Sequence, residues 1–337
     1  MLRNSRVRLA LATIGLLGFG VCAGYAVGTA RDAGSSFSLT LANTTQYPFM
    51  HPLVGIKTPE SYGASTLAPL RAAVTSVAKD EPAGAVTRYS FYFRDLTNAM
   101  WTGINENDQY NPASMLKVAA ALAVYKQNEL TPGFLSQRLV YTQELKNLND
   151  ALPFALPVNL KIGQSYSVPF LLQQMLSDSD NGAKDLLLSS ISQKALDNTY
   201  VELSIPKPDD TNSAGYTISP IDYSRFLRVL FYGSYDISWN DSNSMLKLLS
   251  EATFTNGLVA GVPNTVPVAH KYGEHIIEAD SHTAANGVEL SDCGIVYHPT
   301  DPYLICVMTE GKDPLVLADF IAKVSKAAYV DVDARAQ

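Results

Sequence analysis

The strand-forming runs of this chain fall into two groups that are separated by a long, mostly helical block. Alternating, β-branched and aromatic residues mark two runs near the start and three runs near the end. These runs are 88–95, 99–104, 266–272, 287–297 and 303–309. Residues 130–260 carry helical and loop patterns instead. Further helices are predicted from Ser65 and after Asp313-Pro314, an N-cap followed by a first-turn proline.

This order of elements predicts an α+β fold. We expect one antiparallel five-stranded sheet with helices on both faces, a three-layer α-β-α arrangement, and a helical subdomain inserted between the second and third strands. The first and last helices would pack together on the sheet. A catalytic groove would lie between the sheet and the inserted helices.

The amino terminus is basic and then free of charge for 22 residues. Three arginines within the first eight residues precede Leu9–Ala30. That stretch is as long as the ~20 residues that span a bilayer and longer than a signal-peptide core. The basic flank places this end in the cytoplasm. We predict a single membrane-anchoring helix within residues 1–30, with the catalytic domain outside the cytoplasm. A signal sequence cleaved after Ala30, giving a secreted or periplasmic protein, is the alternative.

Two further segments follow this leader. Residues 31–64 carry three prolines, several Ser, Thr and Gly residues and no sustained period, which is typical of a linker. Residues 65–331 are predicted to form the globular domain, which is long enough to bury a sizeable core.

Charge and metal-ligand patterns exclude several function classes. The chain has 25 basic and 32 acidic residues, a net charge of −7 and no basic stripe, which argues against a nucleic-acid partner. Its three cysteines form no CxxC pair, and its five histidines lack HExxH spacing. We predict that the protein binds no metal ion and no cofactor and that it is a monomer.

Cys293 and Cys306 lie on either side of the turn at 298–302, on two strands that are predicted to pair. Residues opposite each other on antiparallel strands have Cβ atoms about 4.5–5.5 Å apart. Two small core residues are the favoured interpretation. A disulfide, which an oxidising exterior would permit, is the alternative.

The pattern Ser-x-x-Lys occurs four times, and its setting separates the copies. They begin at residues 76, 114, 204 and 244. Ser114 falls in the first turn of a predicted helix, behind Pro112 and before an almost wholly apolar run, so Lys117 lies one turn away on the same face. The helix amino end supplies unpaired N–H groups and a positive dipole. Burial would lower the proton affinity of Lys117, so that it can act as the base for the hydroxyl.

Two more polar motifs follow along the chain. Ser179-Asp180-Asn181 is the only Ser-Asp-Asn, and it precedes a helical run, where these residue types are also ordinary caps. Lys271-Tyr272-Gly273 ends a predicted strand, where a lysine is also an ordinary edge charge. Taken singly, neither motif assigns a function.

In this order the three motifs resemble the signature set of class A β-lactamases and penicillin-binding proteins, Ser-x-x-Lys, Ser-Asp-Asn and Lys-Thr-Gly. The surrounding YNPASMLKV, LSDSDNGAKDLLL and SDCGIVYHPTDPYLICVMTEG agree, and the resemblance covers roughly residues 65–330. It implies a β-lactamase/transpeptidase-like fold and a serine hydrolase that opens β-lactam or related amide bonds through an acyl-enzyme. Ser114 would be the acylating nucleophile and Lys117 its base. Ser179 would pass the proton to the leaving nitrogen.

The same resemblance implies a set of substrate-binding residues. Asn181 would bind the side-chain amide of the substrate, and Lys271 would supply positive charge near its carboxylate. The backbone N–H groups of Ser114 and of Glu274, just beyond Gly273, would form the oxyanion hole.

The sequence departs from the family pattern in two places. Tyr272 replaces the small hydroxyl residue that binds the substrate carboxylate, which puts specificity in doubt. Class A β-lactamases also carry a glutamate that activates the deacylating water, but the loop at 206–220, PKPDDTNSAGYTISP, contains none. Glu202 precedes this loop at a predicted helix end, and Asp209 and Asp210 are its only acids. We therefore expect acylation to be detectable and deacylation to be slow.

Other functions remain open at this point. A peptidase that resembles penicillin-binding proteins and cleaves D-alanyl-D-alanine in cell-wall peptides is one alternative. A catalytically silent, anchored binding domain on the same fold is the other. A Ser-His-Asp esterase is disfavoured because no Gly-x-Ser-x-Gly elbow is present.

Overall fold

The structure is a computed structural model. It describes residues 38–41, 48–50, 53–57, 66–142, 153–154, 156, 159–208, 215–235, 237–277 and 287–336.

The centre of the molecule is a five-stranded antiparallel sheet, as predicted. Its strands are β3 (Val86–Asp95), β4 (Trp101–Ile104), β7 (Val268–Ile277), β8 (Gly287–Val296) and β9 (Tyr303–Gly311). Their order across the sheet is β4-β3-β9-β8-β7, so the two strand groups meet where β3 pairs with β9. The strand β7 continues five residues beyond the predicted end at Tyr272, because Gly273 through Ile277 pair with β8. It forms one edge of the sheet.

One face of the sheet is covered by the first and last helices, which also confirms the prediction. These are α1 (Ala68–Asp80) and α8 (Pro314–Ala336). Leu70 and Val74 on α1 share a buried cluster with Phe320 on α8 and with Phe91 on β3. Apolar residues one turn apart on each helix therefore form the stripe that the sheet buries.

The opposite face carries the inserted helical subdomain. It contains α2 (Lys117–Leu130), α3 (Val168–Leu176), α4 (Asn181–Ser190), α5 (Gln193–Glu202), α6 (Pro220–Phe231) and α7 (Trp239–Ser250). Its central helix, α2, is buried from Lys117 to Gln127, because its sequence is apolar around the whole circumference. Four of the others begin after a serine whose hydroxyl accepts a hydrogen bond from a first-turn N–H. These serines are Ser167, Ser192, Ser219 and Ser238.

Two small sheets complete the described fold. The pair β5 (Arg138–Val140) and β6 (Ser165–Ser167) lies in the helical subdomain. The pair β1 (Ser38–Leu41) and β2 (Leu53–Lys57) falls within the predicted linker. Between them, Phe49 accepts a hydrogen bond from the Tyr297 hydroxyl at 2.7 Å, and Met50 is fully buried. Part of the linker segment therefore packs on the globular body.

The predicted membrane anchor, residues 1–30, lies outside the described residues. Among the residues that are described, no helix has the length and apolar character needed to cross a bilayer.

Cys293 and Cys306 form a disulfide, so the favoured interpretation of two reduced core residues is wrong. The two residues pair directly across β8 and β9, with Cα atoms 4.0 Å apart. A turn of fixed length sets this register, and the register brings the two sulfur atoms together.

Removing this bridge is expected to lower the free energy of unfolding by about 2–3 kcal/mol, because it closes a loop of only 13 residues. The double substitution Cys293→Ala/Cys306→Ala should show this in urea unfolding at pH 7. When the unaltered chain is alkylated under denaturing, non-reducing conditions, neither Cys293 nor Cys306 should be modified. Alkylation of both Cys293 and Cys306 in that sample would contradict the bridge.

Candidate active site

Ser114 lies in a 3₁₀ turn, Ala113–Leu116, that leads directly into α2. The α-helix therefore starts at Lys117, slightly later than predicted. Ala113 adopts a left-handed φ of 46°, and its N–H donates to Asn111 Oδ1 at 2.9 Å. This strained entry fixes the turn that presents Ser114 at the amino end of the buried helix.

Lys117 joins the two serines of the site. Its Nζ lies 2.9 Å from Ser114 Oγ and 3.0 Å from Ser179 Oγ, and it also donates to the Ser179 carbonyl oxygen. The residue is only 2% exposed. Burial, reinforced by the nearby charge of Lys271, holds the pKa of Lys117 well below its usual range. A lysine in this setting loses its own proton more readily than a solvated lysine does, so it can accept the Ser114 proton.

Ser179 is held between two amines. Its Oγ is 3.0 Å from the Nζ of Lys117 and 3.0 Å from the Nζ of Lys271, and its φ of 58° lies in the left-handed region. The next residue, Asp180, caps α4 by accepting from the Ala183 N–H at 2.8 Å, and its other oxygen accepts from the Asn159 N–H at 2.9 Å. The Ser-Asp-Asn motif thus caps a helix and also carries a site hydroxyl.

Lys271 reaches Ser179 from the edge strand β7. The residue is 1% exposed, and its Nζ also donates to the Tyr272 carbonyl oxygen at 3.2 Å. Burial lowers its pKa to about 7, and the negative charge of Asp292 partly opposes that change. Lys271 therefore titrates close to neutral pH.

Gly273 permits the close approach of β7 to the Ser114 turn. A Cβ at this position would collide with the Pro112 carbonyl oxygen and come within 2.9 Å of Met115 Cγ. Only glycine fits this contact. The contact sets the backbone of Glu274 beside the turn, where the family resemblance implies an oxyanion hole.

Tyr272 is buried and its hydroxyl is already bonded. The hydroxyl donates to the Phe154 carbonyl oxygen at 2.8 Å, and the ring stacks on Phe254 with centroids 4.1 Å apart. Burial raises the pKa of Tyr272 to about 12. Asn181 is half-buried at the first position of α4.

The structure thus brings together side chains from all three motifs, although Ser114 and Lys271 are 157 residues apart in the sequence. These side chains are Ser114, Lys117, Ser179 and Lys271. A sequence profile of the β-lactamase enzyme family matches residues 69–332. The chain belongs to this family.

Solved structures agree with the family at the level of the fold. A β-lactamase from Chitinophaga pinensis is 23% identical with a TM-score of 0.62, covering 78% of this chain and 99% of that chain. A class A β-lactamase from Mycobacterium abscessus is 20% identical with a TM-score of 0.62. The match covers 80% of this chain and 100% of that chain. PBP-A is 18% identical with a TM-score of 0.61, and the match covers 80% of this chain and 97% of that chain. A variant of PBP-A was solved as an acyl-enzyme with penicillin G. No curated protein sequence matches the chain.

Within this β-lactamase fold, the acids expected near a deacylating water are placed as follows. Glu202 ends α5, and its carboxylate pairs with Lys126 Nζ at 3.1 Å. Lys126 lies nine residues beyond Lys117 on α2, which is about 13 Å along a helix. Glu202 is therefore engaged away from Ser114. Asp209 and Asp210 lie outside the described residues.

Two buried groups behind the site were missed by the sequence analysis. His270 Nδ1 lies 2.8 Å from Asp292 Oδ1, and both residues are almost completely buried beside Lys271. In addition, Glu289 links Arg88, 3.0 Å away, to the Asn111 N–H, also at 3.0 Å, and so supports the Ser114 turn. Both pairings depend on strand register, and no local motif signals them.

Among the described residues, no group of three or more His, Cys, Asp or Glu side chains is arranged to hold a metal ion.

Proposed function

We propose that this protein is an exported, monomeric serine hydrolase that opens β-lactam or related amide bonds through an acyl-enzyme on Ser114. The observation that carries the proposal is the position of Lys117 Nζ, within 3.0 Å of both Ser114 Oγ and Ser179 Oγ. One buried amine can therefore serve the nucleophile and the group that protonates the leaving nitrogen.

Acylation has two steps: attack of Ser114 on the carbonyl carbon, and breakdown of the resulting tetrahedral intermediate with cleavage of the C–N bond. As Ser114 Oγ bonds to the carbonyl carbon, its proton passes to Lys117 Nζ, and the carbonyl oxygen becomes an oxyanion. The backbone N–H groups of Ser114 and Glu274 stabilise that charge, each donor contributing about 10²–10³ in rate. When the C–N bond breaks, the Ser179 hydroxyl protonates the nitrogen and regains a proton from Lys117. Lys271 supplies positive charge beside Ser179 throughout.

Release of the acyl group is proposed to be slow. Deacylation needs a base within hydrogen-bond reach of a water molecule at the ester. Glu202 is paired with Lys126, and Asp180 accepts backbone hydrogen bonds from Ala183 and Asn159. This arrangement also supports a second candidate, a cell-wall peptidase of the penicillin-binding type, since the fold is shared with PBP-A.

A mass-spectrometric time course with penicillin G tests this proposal. We expect an adduct with the mass of intact penicillin on the peptide that contains Ser114, followed by decay over minutes or longer. Rapid hydrolysis without an accumulating adduct would contradict slow release. An intact antibiotic and an unmodified protein would overturn the proposed function in favour of a silent binding domain. Release of D-alanine from a D-alanyl-D-alanine peptide would favour the peptidase.

We also propose that residues 1–30 form a helix that anchors the enzyme in the membrane, with the catalytic domain outside the cytoplasm. The protein is then expected in the membrane fraction after a high-salt wash, because 22 uncharged residues are long enough to span the bilayer. Proteolysis of intact spheroplasts should remove the catalytic domain. A soluble mature chain that starts near Arg31 would show cleavage instead.

A further inference from the structure

The segment that leads into the Ser114 turn, residues 109–111, is held at each of its residues by a single ion pair between strands β3 and β8. Arg88 on β3 contacts the first two. Its Nη1 donates to the Gln109 carbonyl oxygen at 2.9 Å. Its guanidinium also lies over the Tyr110 ring, with Cζ 3.9 Å from the ring centre, where a cation is attracted to the ring face.

Glu289 on β8 holds the third residue of this segment. The residue is only 7% exposed, and its two carboxylate oxygens have different partners. Oε1 accepts from Arg88 Nη2 at 3.0 Å, and Oε2 accepts from the Asn111 backbone N–H, also at 3.0 Å. A buried carboxylate needs both donors, because leaving one of its oxygens unpaired is costly. The ion pair therefore ties the backbone of Asn111 to the central sheet.

Asn111 passes this constraint on to the turn. Its Oδ1 accepts from the Ala113 N–H at 2.9 Å, and Ala113 has a left-handed φ of 46°. The Met115 N–H then donates to the Pro112 carbonyl oxygen at 2.9 Å, which closes the turn around Ser114. A residue other than glycine keeps a left-handed φ only where its surroundings hold it there. The position of Ser114 Oγ thus depends on how Asn111 is held.

Glu310 offers an internal comparison, because it is the second acid on the same arginine. It lies directly opposite Glu289 on the neighbouring strand β9, and its Oε2 accepts from Arg88 Nε at 2.9 Å. Its side chain is 31% exposed, and among the described contacts its carboxylate has no hydrogen bond to residues 109–113. The two carboxylates share one arginine, but only Glu289 reaches the segment before Ser114.

We propose that Glu289 and Arg88 are positioning residues that hold Ser114 Oγ within reach of Lys117 Nζ during acylation. They act through the backbone of residues 109–113 and touch no reacting atom. Loss of the ion pair should therefore slow the chemical step, while the groups that bind substrate on other segments keep their places. This inference rests on the proposed acylation of Ser114.

The test separates substrate binding from chemistry. Acylation by penicillin G at pH 7 is followed by rapid quenching and mass spectrometry over a range of antibiotic concentrations, which gives the rate constant at saturation and the half-saturating concentration. Glu289→Gln keeps the size of the side chain, but its single amide oxygen cannot accept from both Arg88 and the Asn111 N–H.

For Glu289→Gln we expect the rate constant at saturation to fall about 10- to 100-fold, because a reacting atom displaced by about 1 Å can cost about 10²-fold. The half-saturating concentration should change less than about 2-fold, since uniform binding of the substrate is retained. A residue that only stabilised the fold would not separate these two quantities in a folded variant.

The matched control is Glu310→Gln, which also removes a charge from Arg88 but leaves the Asn111 contact in place. It should keep the rate constant within about 2-fold of the unaltered chain. Arg88→Lys is a second test variant. Lysine keeps the positive charge but lacks the planar fork that serves Glu289 and the Gln109 carbonyl oxygen together, so acylation should slow here too. Far-UV circular dichroism at the assay temperature reports the folded fraction of each variant.

The results that would overturn the inference are distinct from those that would overturn the proposed function. If folded Glu289→Gln and Arg88→Lys acylate at the unaltered rate, or if Glu310→Gln is slowed as much as Glu289→Gln, the positioning assignment is wrong while acylation of Ser114 stands. If penicillin G does not modify Ser114 in the unaltered chain, the proposed function fails and the positioning assignment fails with it.

Discussion

Replacing Ser114 with alanine is expected to abolish covalent labelling by a fluorescent penicillin, a loss of at least about 10³-fold in acylation rate. The hydroxyl is the atom that forms the ester, and no neighbouring group can replace it once it is gone. Ser179 Oγ lies in the same site, but it is bonded to two lysine amines and sits in a left-handed loop. The measurement is gel fluorescence together with the mass of the labelled peptide.

The other Ser-x-x-Lys pairs provide matched controls for this prediction. Ser76→Ala, Ser204→Ala and Ser244→Ala should leave labelling unchanged. Lys79 and Lys247 are exposed in the structure, and Lys207 is paired with Asp197 at 2.8 Å. None of these lysines is a buried base. Label recovered on any serine other than Ser114 would refute the assignment.

The sequence predicted the parts of this molecule that local signals determine. Five strand runs, the first and last helices and the Ser114–Lys117 pair were all visible as periodicity, turn residues and caps within short windows. The antiparallel sheet followed because the first and second groups of strands had to share one core. Even there, the predicted β7 stopped at Tyr272, because a glycine weakens a strand; in the structure, Gly273 marks a close backbone approach inside the strand.

The features that were missed depend on register between distant segments. The His270–Asp292 pair and the Tyr272–Phe154 hydrogen bond each join residues on different segments, and so does the Cys293–Cys306 disulfide, which the sequence offered only as the less favoured alternative. A shift of one residue in strand pairing would send every one of these side chains to the opposite face. Short patterns carry no such information, so the environment of Lys271 could not be read from its motif.

The second large effect is expected at Lys117. Lys117→Met should slow acylation by penicillin G about 10³-fold or more, because it removes the only base bonded to Ser114 Oγ among the described contacts. Methionine fills the same buried volume without an amine, so the variant should fold. Far-UV circular dichroism checks the fold. Lys247→Met, at an exposed position on α7, is the control and should acylate normally. A Lys117→Met protein that acylates within 10-fold of the unaltered chain would exclude Lys117 as the base.

The pH dependence of acylation provides a separate test of the two lysines. Lys117 must be neutral to accept the Ser114 proton, so the rate should rise with pH and level off well below the usual lysine range, where burial has placed its pKa. Lys271 acts as a cation and has a pKa of about 7, so the rate should fall as pH increases beyond that value. The charge of Asp292 raises the pKa of Lys271, and Asp292→Asn should therefore move the falling limb to lower pH. Lys117→Met should lose the rising limb and keep the falling one. A profile that is flat from pH 5 to 9 would mean that the protonation state of neither buried amine controls the rate in that range, which would contradict both assignments.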